Sequence, residues 1–192
     1  MNGYPIVLDV SDRQIVIVGG GNVAVRKTKG LIASGARKIR VVSPKFHEEM
    51  SQQVQRVEEV YRREHLDDAS LVFAATDVAA VNEQVERDAR IIGALVCRAD
   101  ADDAGDFSTP AMHRDGELLI TVSSGGPALS AMIRDRIAEK IEPQWAKMAT
   151  AIREPYRRAG IRPISDSVSG GRSAPWLFRR SKAEPERKLQ RA

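Results

Sequence analysis

Gly19-Gly20-Gly21-Asn22-Val23-Ala24 is the stretch of this 192-residue chain whose residue types and spacing point most directly to chemistry. It fits the pattern Gly-x-Gly-x-x-Ala. The first glycine, Gly19, permits a tight turn. The second, Gly21, lets backbone N–H groups approach a pyrophosphate, and the small Ala24 lets a following helix pack closely on the preceding strand. Three glycines alone also serve ordinary turns. Here they follow the apolar run Ile15-Val16-Ile17-Val18 and open a helical stretch, which puts the positive end of a helix dipole on the anion.

Two further places belong to the same chemistry. The end of the second strand, where a dinucleotide-binding fold commonly carries an acid for the adenosine ribose, reads Val42-Ser43-Pro44-Lys45 and has no carboxylate. Ser43 can hydrogen-bond a ribose hydroxyl and Lys45 can accommodate a 2′-phosphate, so NAD and NADP both stay open. Thr76 and Asp77, ending the fourth strand, are expected beside the cofactor on the carboxyl edge of the sheet.

Beyond them lies the acidic loop Asp100-Ala101-Asp102-Asp103-Ala104-Gly105-Asp106. Asp100 is nearest the end of the fifth strand, where a substrate would meet the nicotinamide, and is the candidate acid/base. Asp102, Asp103 and Asp106 read as solvated or turn-forming residues, and their spacing fits no calcium loop. No metal site is expected. His47 and His65 fall in surface segments, whereas His113 stands beside Arg114 near the candidate site.

The elements that must position these residues alternate in type. Short apolar strands are expected at 15–18, 39–42, 57–61, 71–76 and 95–97. Helices are expected at 22–34 with Gly35 closing the end, from Pro44 towards Gln55, and from a cap at Asp77 or a neighbour to Ile92. This predicts an α/β fold, a Rossmann-like doubly wound parallel sheet. Residues 107–114 and 117–123 flank Asp115-Gly116 as a β-hairpin, expected to extend the sheet or to meet a second subunit. A C-terminal helical segment follows. Its apolar stripe is Leu129, Met132, Ile133, Ile137 and Ile141, continued by Trp145, Met148 and Ile152 beyond Pro143. The predicted organisation is a dinucleotide-binding domain over 1–99, a hairpin element over 100–127, a helical segment over 128–159 and a basic, disordered tail over 160–192.

Bulk properties narrow the class. Cys97 is the sole cysteine, so an intrachain disulfide and a cysteine-rich zinc site are excluded. No apolar run has membrane-spanning length, and Met1-Asn2-Gly3-Tyr4-Pro5 lacks the character of a signal peptide, so a cytoplasmic address is expected. The net charge of +4 is uneven: from Arg153 to Ala192 there are 11 Lys/Arg against 4 Asp/Glu. The high pI therefore belongs to the tail, and neither nucleic acid nor membrane is expected as a partner.

Residues Val16 to Lys27, Val16-Ile17-Val18-Gly19-Gly20-Gly21-Asn22-Val23-Ala24-Val25-Arg26-Lys27, resemble the opening motif of the precorrin-2 dehydrogenase / sirohydrochlorin ferrochelatase family. Three later stretches agree with it in order and spacing. They are Ala74-Ala75-Thr76-Asp77, Ala99-Asp100 with Asp106-Phe107-Ser108-Thr109-Pro110-Ala111, and Val122-Ser123-Ser124-Gly125-Gly126. The resemblance implies a homodimer, with the hairpin as dimerisation element, that uses NAD⁺ to oxidise precorrin-2 to sirohydrochlorin. In some members Fe²⁺ is then inserted as a further substrate. It also implies that the family's key aspartate is Asp100, that Asn22-Val23 and Ser43-Pro44 contact the cofactor, and that a serine phosphorylated in some members is Ser124.

A tetrapyrrole polycarboxylate calls for cations around its rim. Arg98, His113, Arg114, Arg134 and Arg136 are available, and His113, Arg114, Ser124 and Arg134 are the expected substrate contacts. Three departures from the family pattern weigh on metal insertion rather than on dehydrogenation. Cys97 stands where the family commonly has Asn, Gly105 stands where it has Cys, and Gly125-Gly126-Pro127-Ala128-Leu129 is shortened. Two other readings fit the sequence: an NAD(H)-sensing regulatory domain, and a ferrochelatase without dehydrogenase activity.

Overall fold

Short runs of β-branched and aliphatic residues build the sheet of the computed structural model, which describes residues 3–101 and 104–158. Asp102, Asp103 and the tail expected over 160–192 lie outside the described residues. The strands are β1 (Gln14–Val18), β2 (Lys38–Val42), β3 (Gln55–Val57), β4 (Leu71–Ala74) and β5 (Leu95–Arg98). All pair in parallel in the order β3-β2-β1-β4-β5. This is the Rossmann-like doubly wound arrangement that the alternation predicts.

Side-chain alternation divides the core into two layers. Ile15, Ile17, Ile39, Val41, Leu71, Phe73 and Cys97 face one side, packed with Ala24 and Val25 of α1 (Asn22–Ala33). Val16, Val18, Val42, Val72, Ala74 and Val96 face the other, packed with Val85 and Ala89 of α2 (Ala79–Ile91). Burial on both faces explains the continuous apolar strands.

The chain divides into two compact units. The first runs to Ala111 and includes Ser123–Ser130; the second comprises Met112–Val122 and the chain from Ala131. The second unit contains most of the hairpin, β6 (Ala111–Asp115) with β7 (Leu118–Val122), joined by Gly116 and Glu117. The pair forms its own two-stranded sheet and does not extend the parallel one. α3 (Pro127–Ala138) is separated from α4 (Pro143–Arg158), so the expected single stripe is carried by two helices. Pro143 opens α4, where its missing N–H is harmless. Glu117 of the hairpin turn pairs with Arg153 of α4 at 2.6 Å.

Three expectations need correction. No helix follows Pro44. Residues 44–54 form turns, with the His47 N–H donating to the Gly20 carbonyl at 2.8 Å and Arg56 donating to the Met50 carbonyl. Phe46, Met50 and Val54 still pack on the α1 side of the sheet, so the apolar spacing of a helix is used by a coil pinned to the glycine loop. The third strand is Gln55–Val57 rather than 57–61, because its register is set by β2. His65 is buried, not superficial, and its Nδ1 accepts the Arg62 N–H at 3.0 Å.

Candidate active site

Parallel pairing brings the C-terminal ends of β1, β2, β4 and β5 to one edge, and the segments leaving those ends build the site. At the end of β1, Gly19 has φ +126°, a conformation essentially reserved for glycine, and a Cβ there would lie 2.6 Å from the Ala75 carbonyl carbon. A Cβ on Gly20 would lie 2.7 Å from Ser43 Oγ. Gly19 and Gly20 are thus required by the neighbouring strand ends. Gly21 differs: a Cβ there would meet nothing within 4 Å, and the residue is the N-cap of α1 without any side-chain hydrogen bond. The start of α1 is thus uncapped by any side chain and uncrowded at Gly21, an arrangement suited to receiving an anion. Ala24 beneath is fully buried, which allows the close helix–strand contact.

Ser43 and Pro44 leave the end of β2. Ser43 is buried, and its hydroxyl donates to the Lys45 carbonyl at 2.7 Å, fixing the turn. Pro44 and Lys45 are exposed, and no carboxylate stands at this strand end. The edge thus fits a dinucleotide: an open, uncapped helix start beside a turn free of negative charge.

After β4, Thr76 and the buried Asn82 form a closed unit. Asn82 Oδ1 accepts the Thr76 N–H at 3.1 Å and its hydroxyl at 2.7 Å, while Asn82 Nδ2 donates to the Thr76 carbonyl at 3.0 Å. Thr76 Oγ1 accepts the Val78 N–H at 3.2 Å at the start of α2. Of Asp77 and its neighbours, Thr76 is therefore the one that orders this helix start. Asp77 is exposed.

After β5, Arg98 holds Asp100 with a fork: Nε donates to Oδ1 at 3.1 Å and a terminal nitrogen to Oδ2 at 2.8 Å. The other terminal nitrogen reaches Glu86 Oε2 at 3.2 Å. Glu86, buried on α2, also accepts the Gly105 N–H at 3.2 Å and pairs with Arg90 at 2.8 Å. The Arg98 guanidinium holds the Asp100 carboxyl below the usual carboxylate range, with the Asn82 amide adding to the effect against partial burial. Arg98 itself is driven further toward its charged form by the same carboxylates.

Gly105 and Asp106 run back along β5. Gly105 bridges Cys97 antiparallel, and Asp106 both donates its N–H to the Val96 carbonyl at 2.7 Å and accepts the Val96 N–H at 3.0 Å. Asp106 is thus an edge-pairing residue rather than a solvated turn maker. Phe107 then meets Phe73 edge-on at 5.4 Å, and Lys27 of α1 donates to Thr109 Oγ1. Burial lowers the Lys27 pKa and raises that of Cys97, each opposed by the other's proximity.

Of the sequence candidates, Gly19, Gly21, Asn22, Val23, Ser43, Pro44, Thr76, Asp77 and Asp100 come to the one sheet edge. His113, Arg114 and Arg134 belong to the second unit, and Ser124 to the first. His113 is partly buried on β6, Arg114 is exposed, and Arg134 pairs with Asp135 at 2.7 Å. Ser124 lies in the turn before α3, its N–H donating to Ser130 Oγ at 3.0 Å. Arg98 is not free to serve as a rim cation, because both of its faces are taken by carboxylates. Asn82 and Glu86 escape a reading of the sequence, since a polar residue within a helix carries no periodic signal of what it faces. Among the described residues no three His, Cys, Asp or Glu side chains form a metal-holding group, and no helix is long and apolar enough to cross a membrane.

Residues 6–111 match the family described as "Putative NAD(P)-binding". The siroheme synthase of Methylobacillus flagellatus is 36% identical over 166 residues, covering 83% of this chain and 35% of the relative. That of Nitrosomonas eutropha is 35% identical over 158 residues, covering 78% of this chain and 33% of the relative. The chain thus spans about a third of the length of these relatives. A solved structure, "SirC, precorrin-2 dehydrogenase", superposes with a TM-score of 0.67 at 26% identity, covering 86% of this chain and 84% of that one. The fold, the glycine loop and these matches agree, and the chain belongs to the NAD(P)-binding precorrin-2 dehydrogenase / sirohydrochlorin ferrochelatase family.

Proposed function

We propose that this protein is a precorrin-2 dehydrogenase acting in sirohaem formation, with NAD⁺ as the oxidant. The observation that carries the reading is the placement of Asp100. It is clamped at the end of β5 and linked through Asn82 to the Thr76 turn, on the edge where the glycine loop opens. The likeness to a precorrin-2 dehydrogenase over most of both chains supports the choice of substrate.

NAD⁺, when bound, would supply a hydride acceptor. Gly19, Gly21, Asn22 and Val23 would hold its pyrophosphate by backbone N–H groups and the α1 dipole, and Ser43, Pro44, Thr76 and Asp77 would flank its sugars. Asp100 would take the proton that leaves the substrate, and its ionised form is the one favoured by Arg98. His113, Arg114, Ser124 and Arg134 would receive substrate carboxylates. Such a substrate brings its own nitrogen ligands, so insertion of Fe²⁺ needs no protein metal cluster, only a base for the expelled pyrrole protons. Fe²⁺ would then be a second, separable substrate.

A homodimer is part of the same proposal. Met132, Ile137, Trp145, Met148 and Ile152 of the second unit are exposed, in a unit whose two-stranded sheet lacks the third strand that isolated sheets usually need. Light scattering at twice the chain mass is the expected result.

The deciding experiment is anaerobic incubation with precorrin-2 and NAD⁺, following NADH absorbance and the visible spectrum, then adding Fe²⁺. Stoichiometric NADH with formation of sirohydrochlorin is expected. Absence of NADH overturns the dehydrogenase reading, and a spectral change only after Fe²⁺ in the presence of supplied sirohydrochlorin would instead favour a chelatase.

A further inference from the structure

We propose that Arg98 is the positioning residue for Asp100, and that the buried Glu86 on α2 aims Arg98 at it. The inference deepens the proposed reaction and rests on that reading for its kinetic test. Arg98 ends β5, with only 10% of its side chain exposed. A planar guanidinium has fixed donor directions, so anchoring one side fixes the other. Here one terminal nitrogen is anchored on Glu86 at 3.2 Å, leaving Nε and the second terminal nitrogen to reach the two Asp100 oxygens at 3.1 and 2.8 Å.

Glu86 is itself held on both oxygens. Oε1 accepts the Gly105 N–H and the Arg90 guanidinium, and Oε2 accepts Arg98. It cannot follow Arg98 if Arg98 moves. The chain of contacts therefore runs from a helix through a strand end to the carboxylate, and every link is charge-assisted, the strongest ordinary class of hydrogen bond. Without Arg98, Asp100 would retain only the Asn82 amide among these neighbours.

All groups facing Asp100 matter to its behaviour with pH. Among the described residues they are Arg98 from β5 and Asn82 from α2, with Glu86 behind Arg98 and Arg90 pairing both Glu86 and Asp106. The cation in direct contact is Arg98, so replacing it should both loosen the carboxylate and raise the pH at which it takes a proton.

The test compares wild type, Arg98→Lys, Arg98→Met and the double variant Arg98→Met with Glu86→Gln. The double variant removes the charge that Arg98→Met would strand and guards against loss of folding. Expected for both Met-containing proteins are a fall in kcat of about 100-fold, the size expected from misplacing a reacting group by roughly an ångström, and an acid limb of the pH profile moved to higher pH. NAD⁺ affinity should be unchanged, and Arg98→Lys should recover part of kcat. In parallel, carboxyl-carbon NMR follows the Asp100 midpoint without turnover.

An upward midpoint in Arg98→Met supports the inference even if wild type forms no NADH, a result that would overturn only the dehydrogenase reading. An active wild type whose kcat and acid limb do not change on losing Arg98 overturns the inference. A loss of kcat with an unmoved acid limb and an unmoved Asp100 midpoint overturns it too, leaving Arg98 as scaffold.

Discussion

Replacing Gly21 by alanine should weaken dinucleotide binding without weakening the fold, whereas Gly19→Ala should weaken the fold itself. A methyl group on Gly21 meets no atom within 4 Å, and its φ of −85° is open to alanine. Two effects on the free protein then oppose each other. Alanine is a poorer N-cap than glycine, by somewhat under about 1 kcal/mol, while glycine-to-alanine changes at compatible angles stabilise by roughly 0.4–1 kcal/mol. The net change should be small. The same methyl group projects into the space that a pyrophosphate must enter. Losing one charge-assisted N–H bond there costs about 1.5–3 kcal/mol of binding, so Kd rises roughly tenfold or more.

The assay is thermal unfolding with and without NAD⁺. At a concentration of about 100 times the wild-type Kd, binding stabilises wild type by about 2.7 kcal/mol, or roughly 5–11 °C for a chain of this size. For Gly21→Ala the gain should fall to about 1.4 kcal/mol or less. Gly19→Ala places an alanine at φ +126° with the Ala75 carbonyl carbon 2.6 Å away. It should lose about 1–3 kcal/mol from backbone strain before the clash is counted. A Gly21→Ala protein that keeps the full ligand-induced shift would refute the assignment of this open space to the cofactor.

Four further outcomes are expected. Asp100→Asn should lower kcat for NADH formation by about 10²- to 10⁴-fold, while isothermal titration shows NAD⁺ affinity within about twofold of wild type. Asn82→Ala should destabilise the fold by about 1–3 kcal/mol for each Thr76 group left unpaired, measured by urea unfolding. Gly105 has φ +84°, and a Cβ there would lie 2.7 Å from the Val96 carbonyl oxygen, so Gly105→Ala should lower Tm, read by calorimetry. The Asp100 pKa is lower folded than unfolded, so its pair with Arg98 contributes stability above the unfolded value of about 3.9 and loses it as pH falls through the folded value. Acid unfolding should therefore be less steep below about pH 4 in Asp100→Asn than in wild type.

The fold was legible wherever burial imposed a period. Ile15 to Val18 and Leu71 to Ala74 are apolar at every position because helices cover both faces of their sheet, and a continuous run bounded by turns reads as such a strand. The segment after Pro44 misled for a complementary reason. Phe46, Met50 and Val54 are spaced as on a helix, but the His47 N–H is taken by the Gly20 carbonyl and no helix closes. That bond links residues 27 positions apart, and local propensity contains no trace of it. Asp100 was legible because its nearness to a strand end fixes its place. Asn82, Glu86 and Arg98 were not, since their roles lie in what they face across the β4–β5 edge.

The clamp on Asp100 has a chemical consequence of its own. An ion-paired carboxylate is a poor base in water, because Arg98 stabilises the charged form that must be given up when a proton is accepted. It can still serve a proton that is strongly acidic when it leaves, such as one next to a carbon that has just become electron-poor. What the clamp gives is orientation and a carboxylate already ionised at neutral pH, at the expense of basicity. A base that had to take its proton before the electrons leave would be better placed in an apolar pocket, where its pKa would rise. The geometry at the end of β5 is the opposite of that, so Asp100 suits a reaction in which proton loss follows oxidation. A solvent isotope effect on kcat near unity, together with a substantial effect from deuterium at the oxidised carbon, is the pattern this order of events requires.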